Sequence, residues 1–214
     1  MTTDDAQGVL AIWNDVRGGR EREFESWYSG EHFPERLAIP GFRVGRRFEA
    51  VSGTPRSFCY YLTDTPEILT SAAYIERLNH PTPMTRTMMS EVFLNMNRTV
   101  CRRIRHFGAL SGAIGVTARF QQPVDPAVVL PMLETLGGAE GIARCELWSA
   151  VDRQAAVGAE EKLRGGDRKI AACAMVETLR PSDAERVRDQ LADAFGTTAE
   201  IGIYRLLCQL TGRI

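Results

Sequence analysis

The 214-residue chain is short of lysine and of long apolar runs. All but two of its 26 basic residues are arginine, and the formal net charge is −1 at pH 7. A chain without a net basic field is a poor candidate for binding nucleic acid. It has no run of about 18 apolar residues, and the polar, acidic start MTTDDAQG is unlike a signal peptide. We therefore expect a soluble, cytoplasmic protein with neither a membrane nor a nucleic-acid partner.

Motifs for several kinds of chemistry are also missing. There is no GxSxG, no Walker phosphate loop and no GxGxxG after a strand, which argues against serine hydrolysis and nucleotide chemistry. The five cysteines fall singly within apolar runs, without CxxC spacing, as free buried thiols do. No pair of His, Cys, Asp or Glu residues has a recognised ligand spacing, so we expect no metal site.

The chain repeats one order of elements. Its second half predicts β-α-β-β-α-β, with strands at 112–120, 142–151, 169–179 and 199–210 and helices at 125–136 and 182–195. Its first half predicts the same order, with strands at 8–16, 42–51, 57–63 and 98–106 and helices at 20–32 and 66–78. The 44% apolar content is enough for packed cores. We predict two tandem domains, 1–108 and 112–214.

The predicted sheets need a partner. A four-stranded antiparallel sheet with both helices on one face leaves its other face bare, yet strands such as VLAIW and IAACAMV are apolar on both faces. The fold class is therefore α+β, with two tandem βαββαβ units whose sheets pack together as an intrachain barrel. RNA-recognition domains share this order and stack bases on third-strand aromatics. Phe58 and Tyr60 alternate suitably for that, but the basic surroundings are missing.

The two halves differ in the residues that can carry chemistry. Every histidine lies in the first half, at His32, His80 and His106. The first predicted helix carries FESWYSGEHFPER, residues 24–36. A spacing of four residues places Trp27 beside Glu31 on the helix surface. The same spacing places Tyr28 beside His32.

His32 is expected at the end of this helix. Phe33 precedes Pro34 and is therefore biased away from helical geometry. At a helix C-terminus, unpaired carbonyls and the helix dipole favour a protonated imidazole. A titratable group beside the carboxylate of Glu31 suits general acid–base catalysis, so we assign catalysis to His32 and Glu31. The alternative is that His32 only binds backbone carbonyls while Glu31 and Arg36 face water.

The segment WYSGEHFPERLAIPGFRVGRRFEA, residues 27–50, resembles the EthD-like group of dimeric α+β-barrel proteins. In that group a Trp/Tyr-rich helix leads to a histidine, a proline and a Pro-Gly turn, and His32 matches the histidine often used there as acid or base. The resemblance implies ferredoxin-like units and a pocket between sheet and helices. It also implies relatives that act without metal or organic cofactor: muconolactone isomerases, polyketide cyclases, decarboxylases, dehydratases and quinone-forming monooxygenases. The second half lacks Glu-His-x-Pro-x-Arg, so we expect it to be mainly structural.

Further residues are candidates for binding a substrate. The two prolines of the segment 78–86 predict an extended loop that could cover the pocket, although it could also be a rigid connector. A guanidinium and a phenol on the predicted strands could hold a carboxylate or phenolate. The substrate-binding candidates are Asn14, Trp27, Tyr28, Arg36, Arg47, Tyr61, His80 and Arg86.

The leading hypothesis is a cofactor-independent acid–base enzyme of the lyase or isomerase type. It would dehydrate, isomerise or decarboxylate a small aromatic or cyclic carbonyl compound. One alternative is a non-catalytic, small-molecule-binding or stress-related barrel. A second is a heme-binding oxygenase or peroxidase-like barrel with a histidine such as His80 as axial ligand. The identity of the substrate stays open, and so does a homodimer of the two-domain chain.

Overall fold

The computed structural model describes residues 7–151 and 158–212, whose strands form one closed, eight-stranded barrel. Every pair of neighbouring strands is antiparallel, in the order β1-β3-β2-β8-β5-β7-β6-β4. The strands are β1 Gly8–Val16, β2 Phe42–Ser52, β3 Ser57–Thr63, β4 Phe93–Phe107, β5 Ile114–Phe120, β6 Ile142–Ala150, β7 Ala172–Thr178 and β8 Ala199–Thr211.

The barrel is built from two equivalent sheets. The first half contributes the strand order β4-β1-β3-β2, and the second half contributes the matching order β8-β5-β7-β6. The two sheets join where β2 pairs with β8 and where β4 pairs with β6. The predicted α+β fold, with two βαββαβ units closed into an intrachain barrel, is confirmed. Closure leaves no exposed sheet edge and covers the second apolar face of each sheet.

The helices cover the outside of the barrel. They are α1 Glu21–Trp27, α2 Phe33–Leu37, α3 Ala72–Asn79, α4 Pro83–Thr87, α5 Pro126–Gly137, α6 Ala159–Leu163 and α7 Pro181–Phe195. Short π turns span Tyr28–His32 and Met88–Val92, and 3₁₀ turns span Pro66–Thr70 and Gly196–Thr198. No described helix has both the length and the hydropathy that crossing a bilayer requires.

The predicted end of the first helix is wrong. Phe33 is helical, with φ −66° and ψ −48°, and the helix continues through Pro34 to Leu37. Proline cannot donate the usual backbone hydrogen bond, and the chain accommodates it by widening into the π turn that precedes it. There the N–H of Phe33 donates to the carbonyl of Tyr28, five residues back.

Two further predictions differ from the structure. The predicted helix 66–78 is broken at Ser71, which is extended and accepts a hydrogen bond from the N–H of Tyr74 as the N-cap of α3. The segment expected to be an extended loop instead contains α4. Thr82 is the N-cap of α4, and Pro83 occupies its first turn, where a missing N–H is harmless.

The described residues pack into three apolar clusters. One lies between each sheet and its own helices, and the third fills the barrel. Inside the barrel, Trp13 stacks on Phe58 with ring centroids 4.7 Å apart. Phe58 and Tyr60 are only 1% and 4% exposed, so these third-strand aromatics cannot stack on bases as an RNA-recognition domain requires.

Candidate functional site

His32 lies at the end of the π turn, against the first-half sheet. It is only 6% exposed, and its ring lies 4.5 Å from that of Trp27 and 5.2 Å from that of Tyr28. The imidazole lines an internal cavity of about 30 Å³, which we call the inner cavity and which has room for a water molecule or two. In the part of the chain that the structure describes, no hydrogen bond to the imidazole is present. Its nitrogens are therefore open to a ligand.

The surroundings of His32 favour the neutral imidazole. Burial holds its pKa well below the usual range, and the guanidinium charges of Arg36 and Arg164 lower the pKa further. The expectation of a protonated imidazole at a helix end is therefore wrong. The helix does not end at His32, so unpaired carbonyls and the helix dipole do not act there, and desolvation decides the charge instead.

Glu31 points away from the imidazole. Its carboxylate accepts hydrogen bonds from Trp27 Nε1 at 3.2 Å, from Thr85 Oγ1 at 2.9 Å and from Thr82 Oγ1. The predicted neighbours Trp27 and Glu31 thus do meet. The contact fastens the first helix to α4, and no described hydrogen bond couples Glu31 to His32.

Two phenols form another wall of the inner cavity. The hydroxyls of Tyr28 and Tyr61 lie 3.1 Å apart, and burial raises the pKa of both phenols well above the usual range. Arg47 covers the ring of Tyr28 at 4.0 Å and binds Glu25 through two hydrogen bonds of 2.8 and 2.9 Å. Both phenols therefore stay protonated and one hydroxyl donates to the other, while Arg47 packs on the ring of Tyr28.

Arg36 joins the site to the second half of the chain. Its guanidinium is 3% exposed, and Nη2 donates to both carboxylate oxygens of Glu160, on α6, at 2.6 and 2.7 Å. Its Nη1 is buried and has no acceptor among the described residues. Arg164, just after α6, also lines the inner cavity. Sequence reasoning missed Glu160 and Arg164, since nothing in a polar loop marks one glutamate as buried.

A larger cavity of about 680 Å³, the outer cavity, lies beside the inner one. The two cavities share Tyr74, Arg98, Glu160 and Arg164 as lining residues. The volume of the outer cavity is in the range of typical small-molecule sites. Together, the two cavities form the candidate site.

The structure brings only some of the predicted residues together. Asn14, Tyr28, His32, Arg36 and Tyr61 line the inner cavity, with Trp27 and Arg47 packed behind them. Two others are elsewhere. The side chain of His80 is 69% exposed and lies beside Glu76, and Arg86 is exposed on α4, so neither lines a cavity.

Neither of the two cavities fits a heme held by histidine. No histidine lines the outer cavity, His80 is on the surface, and His32 faces a space too small for a porphyrin. The equivalent layer of the second half is filled with buried aliphatic side chains such as Leu133 and Leu191. Nor do the described ranges contain a group of three His, Cys, Asp or Glu side chains placed to hold a metal ion.

No protein-family model and no curated protein matches the sequence. Solved structures match over nearly the whole chain. An anthrone oxidase-like protein has a TM-score of 0.63 and 10% identity, over 100% of this chain and 97% of that chain. A provisionally named monooxygenase from Fusobacterium nucleatum has a TM-score of 0.60 and 9% identity, over 98% and 99%.

A provisionally named chlorite dismutase also matches, with a TM-score of 0.54 and 9% identity over 95% of each chain. Identities this low establish the fold alone. The chain has the ferredoxin-like α+β-barrel fold across both halves, and the EthD-like family itself is not established.

Proposed function

We propose that the chain is a cofactor-independent acid–base enzyme that removes a proton from a small aromatic or cyclic carbonyl compound. The observation that carries this proposal is the state of His32. Its imidazole is buried, lines a cavity and has no hydrogen-bond partner among the described residues, and burial lowers its pKa. A general base must be unprotonated and must have a free nitrogen facing its substrate, and the lowered pKa and unpartnered nitrogens of His32 support that role.

The same cavity offers donors to the anion that forms. Removal of a proton next to a carbonyl puts negative charge on the carbonyl oxygen, which preorganised donors stabilise. Arg36 Nη1 is a buried donor without an acceptor, and a substrate oxygen would supply one. The paired hydroxyls of Tyr28 and Tyr61 lie on another wall. Glu31 has no part in this scheme beyond holding α4 in place.

The fate of the proton accounts for the reaction types. Burial and the neighbouring guanidinium groups make protonated His32 unfavourable, so it returns the proton readily. In an isomerisation, the proton goes back to a different carbon of the substrate. In a dehydration, it goes to the departing hydroxide, which leaves as water. In a decarboxylation, His32 instead takes the proton of the substrate's carboxyl group and returns it to the carbanion that remains after loss of CO₂.

The test is turnover of a panel of aromatic and cyclic carbonyl compounds, with product analysis and with oxygen uptake measured in parallel. His32→Ala should lower kcat by a factor of about 10² to 10⁴, the usual contribution of general acid–base catalysis. His80→Ala is the matched control, since that histidine lies outside both cavities. Unchanged turnover by His32→Ala would overturn the proposal.

Two other outcomes would also overturn it. Compounds that stabilise the protein against heat but give no product would support the non-catalytic binding protein. Stoichiometric oxygen uptake would instead assign an oxidation or an oxygenation, since one similar structure is named for an oxidase and another for a monooxygenase.

A further inference from the structure

The outer cavity contains a guanidinium group with no carboxylate partner. Arg98, on β4, lines both cavities and donates a hydrogen bond to the hydroxyl of Tyr74. Its charge lies 5.9 Å from the centre of the Tyr74 ring. Among the described residues, no Asp or Glu oxygen is within 4.0 Å of Arg98. Tyr74, itself 1% exposed, therefore holds the guanidinium in place without neutralising it.

The other charged side chains of the outer cavity are paired. Glu160 binds Arg36, Arg164 binds Asp167 at 2.7 Å, and Lys169 lies 3.6 Å from Glu161. Among the described side chains of this cavity, Arg98 has no contacting carboxylate; the charge of Asp167 acts on it from a distance, and Asp167 itself binds Arg164. Burial lowers the pKa of Lys169 and the nearby charge of Arg98 lowers it further, while Glu161 and Asp167 act in the opposite direction. A cation in a partly desolvated cavity favours an anionic ligand.

The remaining walls fix the character of the rest of that ligand. They are largely aliphatic, from Leu69, Ile75, Leu78, Val100 and Ile170. A cavity of about 680 Å³ with such walls has room for a ring system of two or three fused rings. A small inorganic anion would leave these walls in contact with water, so the ligand combines a compact apolar body with one charged group.

We propose that the outer cavity binds an aromatic or alicyclic monocarboxylate, with its carboxylate on Arg98 and its rings against the aliphatic walls. The planar guanidinium suits a planar carboxylate. Because Arg98 lines both cavities, the ligand atoms next to the carboxylate lie at the boundary with the inner cavity. The identification of this ligand as the substrate of His32 rests on the proposed function, whereas the binding itself does not.

Calorimetric titration with 2-naphthoate and its neutral counterpart 2-naphthamide tests the proposal. The acid should bind the wild-type protein about tenfold or more tightly than the amide, because only the acid forms charge-assisted hydrogen bonds. Arg98→Gln should weaken naphthoate binding by the same factor and leave the amide unaffected. Arg105→Gln is the matched control, since Arg105 is exposed on the same strand. Equal affinity for acid and amide, or full affinity of Arg98→Gln for the acid, overturns the proposal.

A second variant keeps the test decisive if Arg98→Gln fails to fold. Ile75→Trp adds a large ring at the cavity wall and should abolish naphthoate binding, and retained binding places the ligand elsewhere. His32→Ala should still bind naphthoate, which separates this inference from the proposed function. If the wild type binds naphthoate but turns over no compound of the carbonyl panel, the carboxylate site stands and the catalytic role is removed. If the wild type turns over only uncharged substrates, the catalytic role stands and the carboxylate site is removed.

Discussion

Replacement of His32 by asparagine should flatten the dependence of stability on pH below 6.5. Burial and the guanidinium groups of Arg36 and Arg164 hold the pKa of folded His32 well below its unfolded value of about 6.5. Between the folded and the unfolded pKa, the unfolded chain takes up a proton that the folded protein does not. The stability linked to His32 is therefore complete above pH 6.5 and is lost as the pH falls towards the folded pKa.

The size of this effect follows from linkage. A difference of one bound proton changes the free energy of unfolding by about 1.4 kcal/mol per pH unit. A loss of that size is large beside the roughly 5–15 kcal/mol by which native proteins exceed their unfolded states. Carboxylates also titrate below pH 5, but they do so in every variant and cancel when two variants are compared at the same pH.

The measurement is urea unfolding of the wild type and of His32→Asn at pH 7.5, 6.5, 5.5 and 4.5. The stability advantage of the wild type, whatever its value at pH 7.5, should shrink as the pH falls, with a slope approaching about 1.4 kcal/mol per unit. His80→Asn, altered at an exposed position, should keep the wild-type profile. A pH-independent difference between the wild type and His32→Asn, or one that grows at low pH, would show that the folded protein protonates His32 and would refute a neutral base.

Two other substitutions test the packing around the site. Glu160→Ala leaves the guanidinium of Arg36 buried without its carboxylate and should lower the free energy of urea unfolding by about 3–5 kcal/mol. A decrease no larger than that caused by Glu161→Ala would contradict a structural ion pair. Gly45→Ala puts a methyl group 2.5 Å from the Phe33 ring and should lower the free energy of thermal unfolding by about 1–3 kcal/mol. The control Gly18→Ala meets nothing within 4 Å and should change that free energy little. Equal decreases in the two variants would refute the close approach of Gly45 to Phe33.

The fold could be predicted because the strands are recognisable from local sequence. Each strand is a short apolar run, the order β-α-β-β-α-β occurs twice, and strands that are apolar on both faces require a second layer. The helix boundaries were less accessible. Pro34 biases the local backbone away from helix by a modest free energy, and the π turn at Tyr28–His32 absorbs the missing hydrogen bond. Tertiary packing of Phe33 and Leu37, both buried, outweighs that local bias.

The candidate site was only partly accessible from the sequence. The position of His32 followed from its helix and its aromatic neighbours, but its charge depends on burial and on guanidinium groups brought close by folding. Glu160 reaches Arg36 across 124 residues of chain, and no local pattern in AEEKL distinguishes it from Glu161. Contacts of this kind depend on the closure of the barrel, which spacing along the chain does not encode.

Closure of the barrel also explains why one half supplies residues to the site of the other. Because β4 pairs with β6, α6 in the connection from β6 to β7 lies beside the helices of the first half, and because β2 pairs with β8, the connection from β2 to β3 lies beside the second half. The latter is four residues, 53–56, and its backbone contacts the second half: the carbonyl of Thr54 accepts a hydrogen bond from the Arg119 side chain, and Gly53 lies against Gly202.

The β6–β7 connection is longer, residues 151–171, and it contains α6, which contacts the first half through Glu160 and Arg36. The second half is therefore more than a wall of the barrel. The β6–β7 connection, equivalent to the short β2–β3 connection, supplies Glu160 to Arg36 and Arg164 to the lining of both cavities. The Ala159 N–H also donates to Asn79 Oδ1 on α3 at 3.4 Å. A chain of two equivalent halves can thus place its candidate histidine in one half and still divide the candidate site between both, since lengthening one of two equivalent connections changes only one of two equivalent regions.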